Sequence, residues 1–291
     1  MAIVCWSSKL RPLLVMWTQP RMIAWLVVTV LMVLLPRLIF SGAYVVPYVI
    51  PFDPGLAFVP VSAIFFGPAG VWGSAMACVL GDLLTGTWGG LRVFRAVGWF
   101  LAAWLVSQLG RSLREKPSLG EFSSWVKFVW VTVLAAIIAS AWNALGAETT
   151  RLYPFSYTFL VSILHHLVFL CGFGFLVFQF MAPGMKDRDI EWESALYFTD
   201  RVLPPFSLMF IILFGSSALL CSGAWGLALM YGYHPLHPVP VGGHLGAWME
   251  SLAIPCMVLQ VVAVFWPNVR LPPESAGQLG DREYAWSSLI R

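Results

Sequence analysis

Charge is scarce in this chain. Only 11% of its 291 residues are Asp, Glu, Lys or Arg, while 59% are apolar; soluble domains carry about 25% charged residues. No water-facing surface can be covered from so small a stock, which excludes a soluble globular domain. The formal net charge of +3 is small and dispersed, so nothing marks a nucleic-acid-binding face. Paired cysteines are missing as well. Cys5, Cys78, Cys171, Cys221 and Cys256 stand alone, and four of them sit in apolar runs where cysteine behaves as a small hydrophobe. Neither a disulfide framework nor a metal cluster is expected. No glycine-rich run ends in Lys-Ser or Lys-Thr to cradle a phosphate, so the chain does not itself drive ATP hydrolysis. No Ser/His/Asp set and no paired carboxylates stand out. The expectation is a non-enzyme without a cofactor.

What is abundant is apolar sequence in long stretches, with a mean hydropathy of +0.80. A helix needs about 20 apolar residues to cross a bilayer. Backbone polar groups in lipid must be satisfied internally, so the choice is helices or a closed barrel. Runs such as Met22–Phe40, Val129–Ala147 and Phe155–Ala182 are unbroken rather than alternating in short segments, which excludes the barrel. The predicted fold class is an all-α integral membrane protein. Lys9, Arg11 and Arg21 before the first run, with Ser41-Gly42-Ala43 after it, resemble a secretory signal. That run exceeds the roughly 7–15 residues of a signal's apolar region and carries Arg37 near its far end, so an uncleaved first helix is expected.

Prolines 47, 51 and 54 make Tyr44–Pro54 a loop or a strained re-entrant piece. Two short apolar stretches follow, Gly55–Phe66 and Ala69–Leu84, joined by Gly67-Pro68. That dipeptide is either a kink in one long helix or a tight turn between two short ones. Were it a kink, Arg111, Arg114, Lys116 and Lys127 would fall outside, against the positive-inside rule. A turn at the cytoplasmic face restores the rule. Helices at about Leu91–Leu109, Lys127–Ala147, Phe155–Ala182, Leu203–Tyr231 and His244–Trp266 then alternate across the membrane. Thirteen of the 17 Lys and Arg lie inside, and only Arg37, Arg92, Arg95 and Arg151 lie at or near the outer face. Both termini are expected in the cytoplasm. The stretch 55–66 is too short to cross about 30 Å at about 1.5 Å per residue, so it belongs deep inside the bundle.

The expected organisation is a cytoplasmic N-terminal segment (1–21), a six-helix membrane domain (22–182), a charged cytoplasmic linker (183–202), two additional C-terminal transmembrane helices (203–267) and a cytoplasmic tail (268–291). The linker reads equally well as an interfacial helix and as a solvated connection.

Polar groups at membrane depth are expensive and need a partner or a task. Asp82 ends the third helix, Arg92 and Arg95 begin the fourth, Asp53 ends the first external loop, and Asn143, Glu148 and Arg151 lie near the outer end of the fifth. All gather on one side. They form either a solvated rim of ion pairs or a ligand-binding mouth. His165 and His166 lie deeper; one is expected to face the bundle and bond to a partner such as Asn143, and a substrate contact is the alternative. Gly70, Gly73, Ala77 and Gly81 place small residues along the third helix, a packing device. His234, His237, His244 and Glu250 have metal-compatible chemistry without a recognisable spacing. Tyr44, Tyr48, Trp88, Trp142, Tyr153 and Tyr157 cluster toward the outer side, as an interfacial belt or as the wall of an apolar pocket.

The stretch Phe52-Asp53-Pro54-Gly55 … Phe65-Phe66-Gly67-Pro68-Ala69-Gly70-Val71-Trp72-Gly73 … Gly81-Asp82-Leu83-Leu84-Thr85-Gly86 resembles the substrate-binding S components of energy-coupling factor (ECF) vitamin transporters. The order of elements is similar too: an external loop, a short helix ending in a Gly-Pro turn, a glycine-rich helix, and a fourth helix closing on basic residues, here Arg111 and Arg114. The resemblance is clearest over residues 50–115. It implies capture of a vitamin or similar micronutrient from outside a bacterial plasma (inner) membrane. It also implies docking on a shared transmembrane coupling subunit and two ATPase subunits. Asp53, Asp82, Arg92, Arg95, Asn143 and His166 are the expected substrate contacts. Two departures stand beside it. The first helix has only Ala24 where the family carries a stripe of small residues for docking, and the last two helices lie outside the six-helix pattern. A non-transporting sensor or scaffold module is the alternative. A membrane-embedded enzyme would require metal at the external histidines.

Overall fold

A computed structural model describes residues 12–110, 122–187 and 244–264, together with parts of 212–223. Among these the chain is mostly helical. Four helices are long and apolar enough to cross a membrane: Pro20–Ile39, Gly90–Leu109, Ser124–Thr149 and Phe155–Met185. Most of the expected seventh helix (203–231), the remainder of the linker beyond residue 187, the N-terminal residues 1–11 and the tail lie outside the described residues.

Helix α1 (Pro20–Ile39) opens with proline at its first position, where a missing N–H costs nothing, and carries Pro36 and Arg37 in its last turn. Ahead of it, residues 12–18 are packed on the bundle rather than hanging free. Leu13 and Met16 are buried, and the Trp72 indole donates to the Leu13 carbonyl at 3.1 Å.

The segment expected as loop or re-entrant piece contains a small antiparallel hairpin, β1 (Tyr44–Val46) with β2 (Ile50–Pro51). Tyr48 sits in its turn at a left-handed φ of 62°. Val46, Val49 and Ile50 are buried against Leu91 and Ala147, so the hairpin is seated over the helix ends.

A short 3-10 turn (Pro54–Phe58) leads into α2 (Val59–Phe66). All eight residues of α2 are buried. A helix that is apolar on every side must be enclosed on every side, and α2 is packed by α1, α3 (Pro68–Leu84), α4 (Gly90–Leu109) and α7 (Gly174–Asp187). The expectation that this helix lies inside the bundle holds.

The Gly67-Pro68 step is a turn. Gly67 adopts φ 51°, ψ −121°, a conformation only glycine takes readily, and Pro68 starts α3. A Cβ built on Gly70 would stand 2.2 Å from the Ser62 carbonyl oxygen, whereas one continuous helix would separate these residues by about 12 Å. The other small residues of α3 also serve packing. Gly73 meets Thr29 of α1, Ala77 is fully buried, and Gly81 lies against the Arg37 guanidinium.

Helix α4 packs on α3 and on α5 (Phe122–Thr149). The α4–α5 seam is close because Gly98 and Gly146 leave room for Trp142 and Phe94 respectively. The long expected helix 155–182 is continuous but not uniform: α6 (Phe155–His166) passes through a π-helical stretch, Leu167–Phe173, into α7. The wider stretch begins directly after the two histidines; such π turns often mark functional positions. Helix α8 (His244–Val264) packs against α5, α4 and α6.

Candidate functional site

Five charged side chains meet where the ends of α1, α3 and α4 converge beneath the hairpin: Arg37, Asp53, Asp82, Arg92 and Arg95. None exceeds 4% exposure. The solvated rim of ion pairs considered from sequence is therefore not what forms. Asp82 is the centre. Its Oδ1 accepts from Nη2 of both Arg37 and Arg95 and lies 3.7 Å from Arg92 Nε. The remaining hydrogens of the three guanidinium groups are divided among different elements. Arg37 Nη1 donates to the Cys78 carbonyl at 2.8 Å, and its Nε lies 3.5 Å from Asp53 Oδ2. Arg95 Nε donates to Cys78 Sγ at 3.3 Å. Arg92 holds the hairpin, donating from Nη2 to the Tyr48 carbonyl at 2.7 Å, from Nη1 to Val49 at 3.4 Å and from Nε to Thr87 at 3.2 Å.

Gly81 has a second meaning here. A Cβ at this position would stand 2.8 Å from the Arg37 guanidinium carbon, so the glycine seats a charged group as well as an approaching helix.

Beside the cluster lies a small pocket lined by Asp53, Arg95, Asn143, His165 and His166, with Trp99 and apolar residues of the hairpin segment. It has about the room that one water molecule needs. Several lining groups are buried without a hydrogen-bond partner: Arg95 Nη1, Trp99 Nε1, Asn143 Oδ1 and His165 Nδ1. Buried polar atoms are nearly always paired, so this concentration distinguishes the pocket from the surrounding core. Burial pushes the Asp53 carboxyl above its ordinary range, against the pull of Arg37 and Arg95.

The six residues expected as substrate contacts thus divide. Asp53, Arg95, Asn143 and His166 line the pocket. Asp82 and Arg92 stand behind it, one as counter-charge and one as clamp on the hairpin. The expected partner of the histidine is displaced by one link. His166 Nδ1 lies 2.8 Å from Ser140 Oγ and 3.2 Å from Ser162 Oγ, and Asn143 Nδ2 donates to Ser162. Sequence reasoning assigned no site role to Arg37, Trp99 or Cys78. Each carried a signal: Arg37 is an arginine inside an apolar run, while Cys78 and Trp99 lie one helical turn from Asp82 and Arg95.

The aromatic residues expected on the outer side also separate. Tyr48 and Trp88 are exposed, Tyr153 and Tyr157 stack at 5.8 Å, and Trp142 sits in the α4–α5 seam. Neither these five nor Tyr44 lines the pocket. Among the described residues no three His, Cys, Asp or Glu are grouped to hold a metal; His234 and His237 lie outside the described residues.

Replacing Arg92 with Lys should loosen the hairpin selectively, because an ammonium group cannot span three carbonyls and a carboxylate as the guanidinium fork does. With about 1 kcal/mol lost per hydrogen bond, amide hydrogen exchange over residues 44–51 should quicken by about fivefold or more. Unchanged exchange there would show that Arg92 is no clamp.

Fold and site together define a mostly helical chain with membrane-length helices and a buried guanidinium–carboxylate cluster beside a polar pocket. No family model matches the chain, and neither a curated protein nor a solved structure matches it.

Proposed function

We propose that the chain binds a small solute from the outer side of the membrane, as the substrate-specificity subunit of an ECF-type uptake transporter. The observation that carries this reading is the convergence of unpartnered buried polar atoms on one pocket beneath the hairpin. A bilayer-embedded protein tolerates such atoms only at considerable cost, which a bound solute offsets. The turn at Gly67-Pro68 and the enclosed helix α2 are features the resemblance to S components implies, and they lend it support. The pocket has room for about one water molecule, so a larger solute requires the hairpin to move; Arg92 is the residue that holds it.

The alternative, a non-transporting sensor or scaffold module, draws on two observations. The outward face of α1 presents Ile23, Val27, Leu31 and Leu35, without a small-residue stripe for a coupling subunit. Helix α8 packs on the six-helix unit from outside it.

Purification of the full chain in mild detergent, followed by solvent extraction and mass spectrometry, tests the binding reading. A single retained small molecule is expected, at an occupancy reduced at least about tenfold in Arg95→Gln and Asn143→Ala, since each loses about 1.4 kcal/mol or more of charge-assisted or buried hydrogen bonding. Equal occupancy in both variants would remove the pocket as the site. ATPase subunits retained from the native host would favour the transporter over the scaffold.

A further inference from the structure

We infer that the occupant of this pocket is a small organic anion, a carboxylate that also carries a hydrogen-bond donor; the inference rests on the binding function proposed above. Charge is the first argument. Three guanidinium groups, those of Arg37, Arg92 and Arg95, face two carboxylates, those of Asp53 and Asp82. Among these five groups at least one positive charge is left over, and a protonated Asp53 would leave two. Cys78 Sγ lies 3.3 Å from Arg95 Nε and 4.0 Å from Asp82 Oδ2. Histidine adds either nothing or more positive charge. A buried charge without a partner is costly enough that proteins pair it or neutralise it, and arginine does not give up its proton. The missing counter-charge is supplied by the ligand.

Hydrogen-bond polarity is the second, independent argument. Arg95 Nη1 and Trp99 Nε1 can only donate. His165 Nε2 accepts the backbone N–H of Asp53 at 3.3 Å, which puts the ring proton on Nδ1 and makes that unpartnered atom a donor as well. Three free donors suit a carboxylate, which has two oxygens and about four lone-pair sites. The acceptor is Asn143 Oδ1, whose amide nitrogen is already committed to Ser162. It requires an N–H or O–H on the same ligand. A cation would meet Arg95; a neutral solute would leave the excess charge unpaired; a halide would leave Asn143 without a donor.

The test uses the full chain in lipid nanodiscs at constant ionic strength. Thermal unfolding is followed with sodium lactate and sodium 4-hydroxybenzoate, with their neutral amides lactamide and 4-hydroxybenzamide, and with sodium chloride. At least one carboxylate should raise the midpoint in a saturable way, while its amide and chloride do not. Arg95→Gln disturbs the ion cluster, so two gentler variants carry the assignment. Trp99→Phe, which removes one donor, should weaken the carboxylate about tenfold, the loss of about 1.4 kcal/mol. Asn143→Asp, nearly the same shape with a negative charge, should abolish its effect. Equal shifts by carboxylate and amide, a shift by chloride alone, no shift with either carboxylate, or tighter binding in Asn143→Asp would each overturn the inference. A neutral or cationic molecule retained through purification would overturn it while leaving solute binding intact. A chain that retains no solute and responds to none of these compounds would remove both.

Discussion

Asp82→Asn should destabilise the folded chain by about 3–5 kcal/mol, the cost of breaking a buried ion pair from one side. The substitution hardly changes volume, so the loss is electrostatic. One oxygen of Asp82 accepts from Arg37 and Arg95 and faces Arg92. Without its charge three buried guanidinium groups share only Asp53. A second substitution separates this from a packing effect. Arg37→Gln in the Asp82→Asn background should restore part of the loss, because it removes one of the charges left unpaired; a coupling of about 0.5–3 kcal/mol is the range for residues in one network. Unfolding in mixed micelles, monitored by tryptophan fluorescence, measures all four members of the cycle. Strict additivity, or a neutral Asp82→Asn, would mean that the cluster does not hold α1, α3 and α4 together.

Gly70→Ala should cost about 3 kcal/mol by overpacking, although alanine is the better helix former by about 1 kcal/mol. The added methyl would fall 2.2 Å from the Ser62 carbonyl oxygen and 2.8 Å from the Ala63 nitrogen. Both are backbone atoms of α2, and no side chain can turn aside to admit it. The α2–α3 hairpin would have to open, and with it the wall that α2 forms inside the bundle. Gly172→Ala is the control. Nothing lies within 4 Å of its added carbon, so stability should stay the same or rise slightly. If the two variants behave alike, the close approach at Gly70 is not what sets the turn.

Much of the fold was legible because membrane insertion restricts what a sequence can mean. The boundaries of α1, α3 and α4 fall within two residues of those expected, since apolar runs and their Gly and Pro borders translate directly into helix ends. Charge bias resolved Gly67-Pro68 as a turn rather than a kink, and the positive φ of Gly67 is its local cause. The hairpin at Tyr44–Pro51 escaped notice because three prolines mask a pairing that needs only a few backbone bonds. The π stretch after His166 left no mark in the apolar pattern, because it alters the rotation of the helix and not its composition.

The site was legible in kind and not in arrangement. Asp53, Asp82, Arg92, Arg95, Asn143 and His166 were marked by polarity at membrane depth, and each is buried at the cluster or the pocket. That Asp82 anchors while Asn143 lines the pocket depends on which helix faces which, a matter of side-chain volumes at the seams. Arg37 shows the difference most clearly. In sequence it is one more cation near the outer face; in the fold it reaches across 45 residues to Asp82, because Gly81 leaves a place for its guanidinium.

Composition and the unbroken apolar runs together settled that this chain is helical and apolar enough for a membrane, since too few charged residues exist to clothe it in water and lipid leaves the backbone no other partner than itself. Only the tertiary structure decided which buried charges meet and which polar atoms are left facing a pocket. Those outcomes follow from distances between helices far apart in the chain, and periodicity within any one helix carries no information about them.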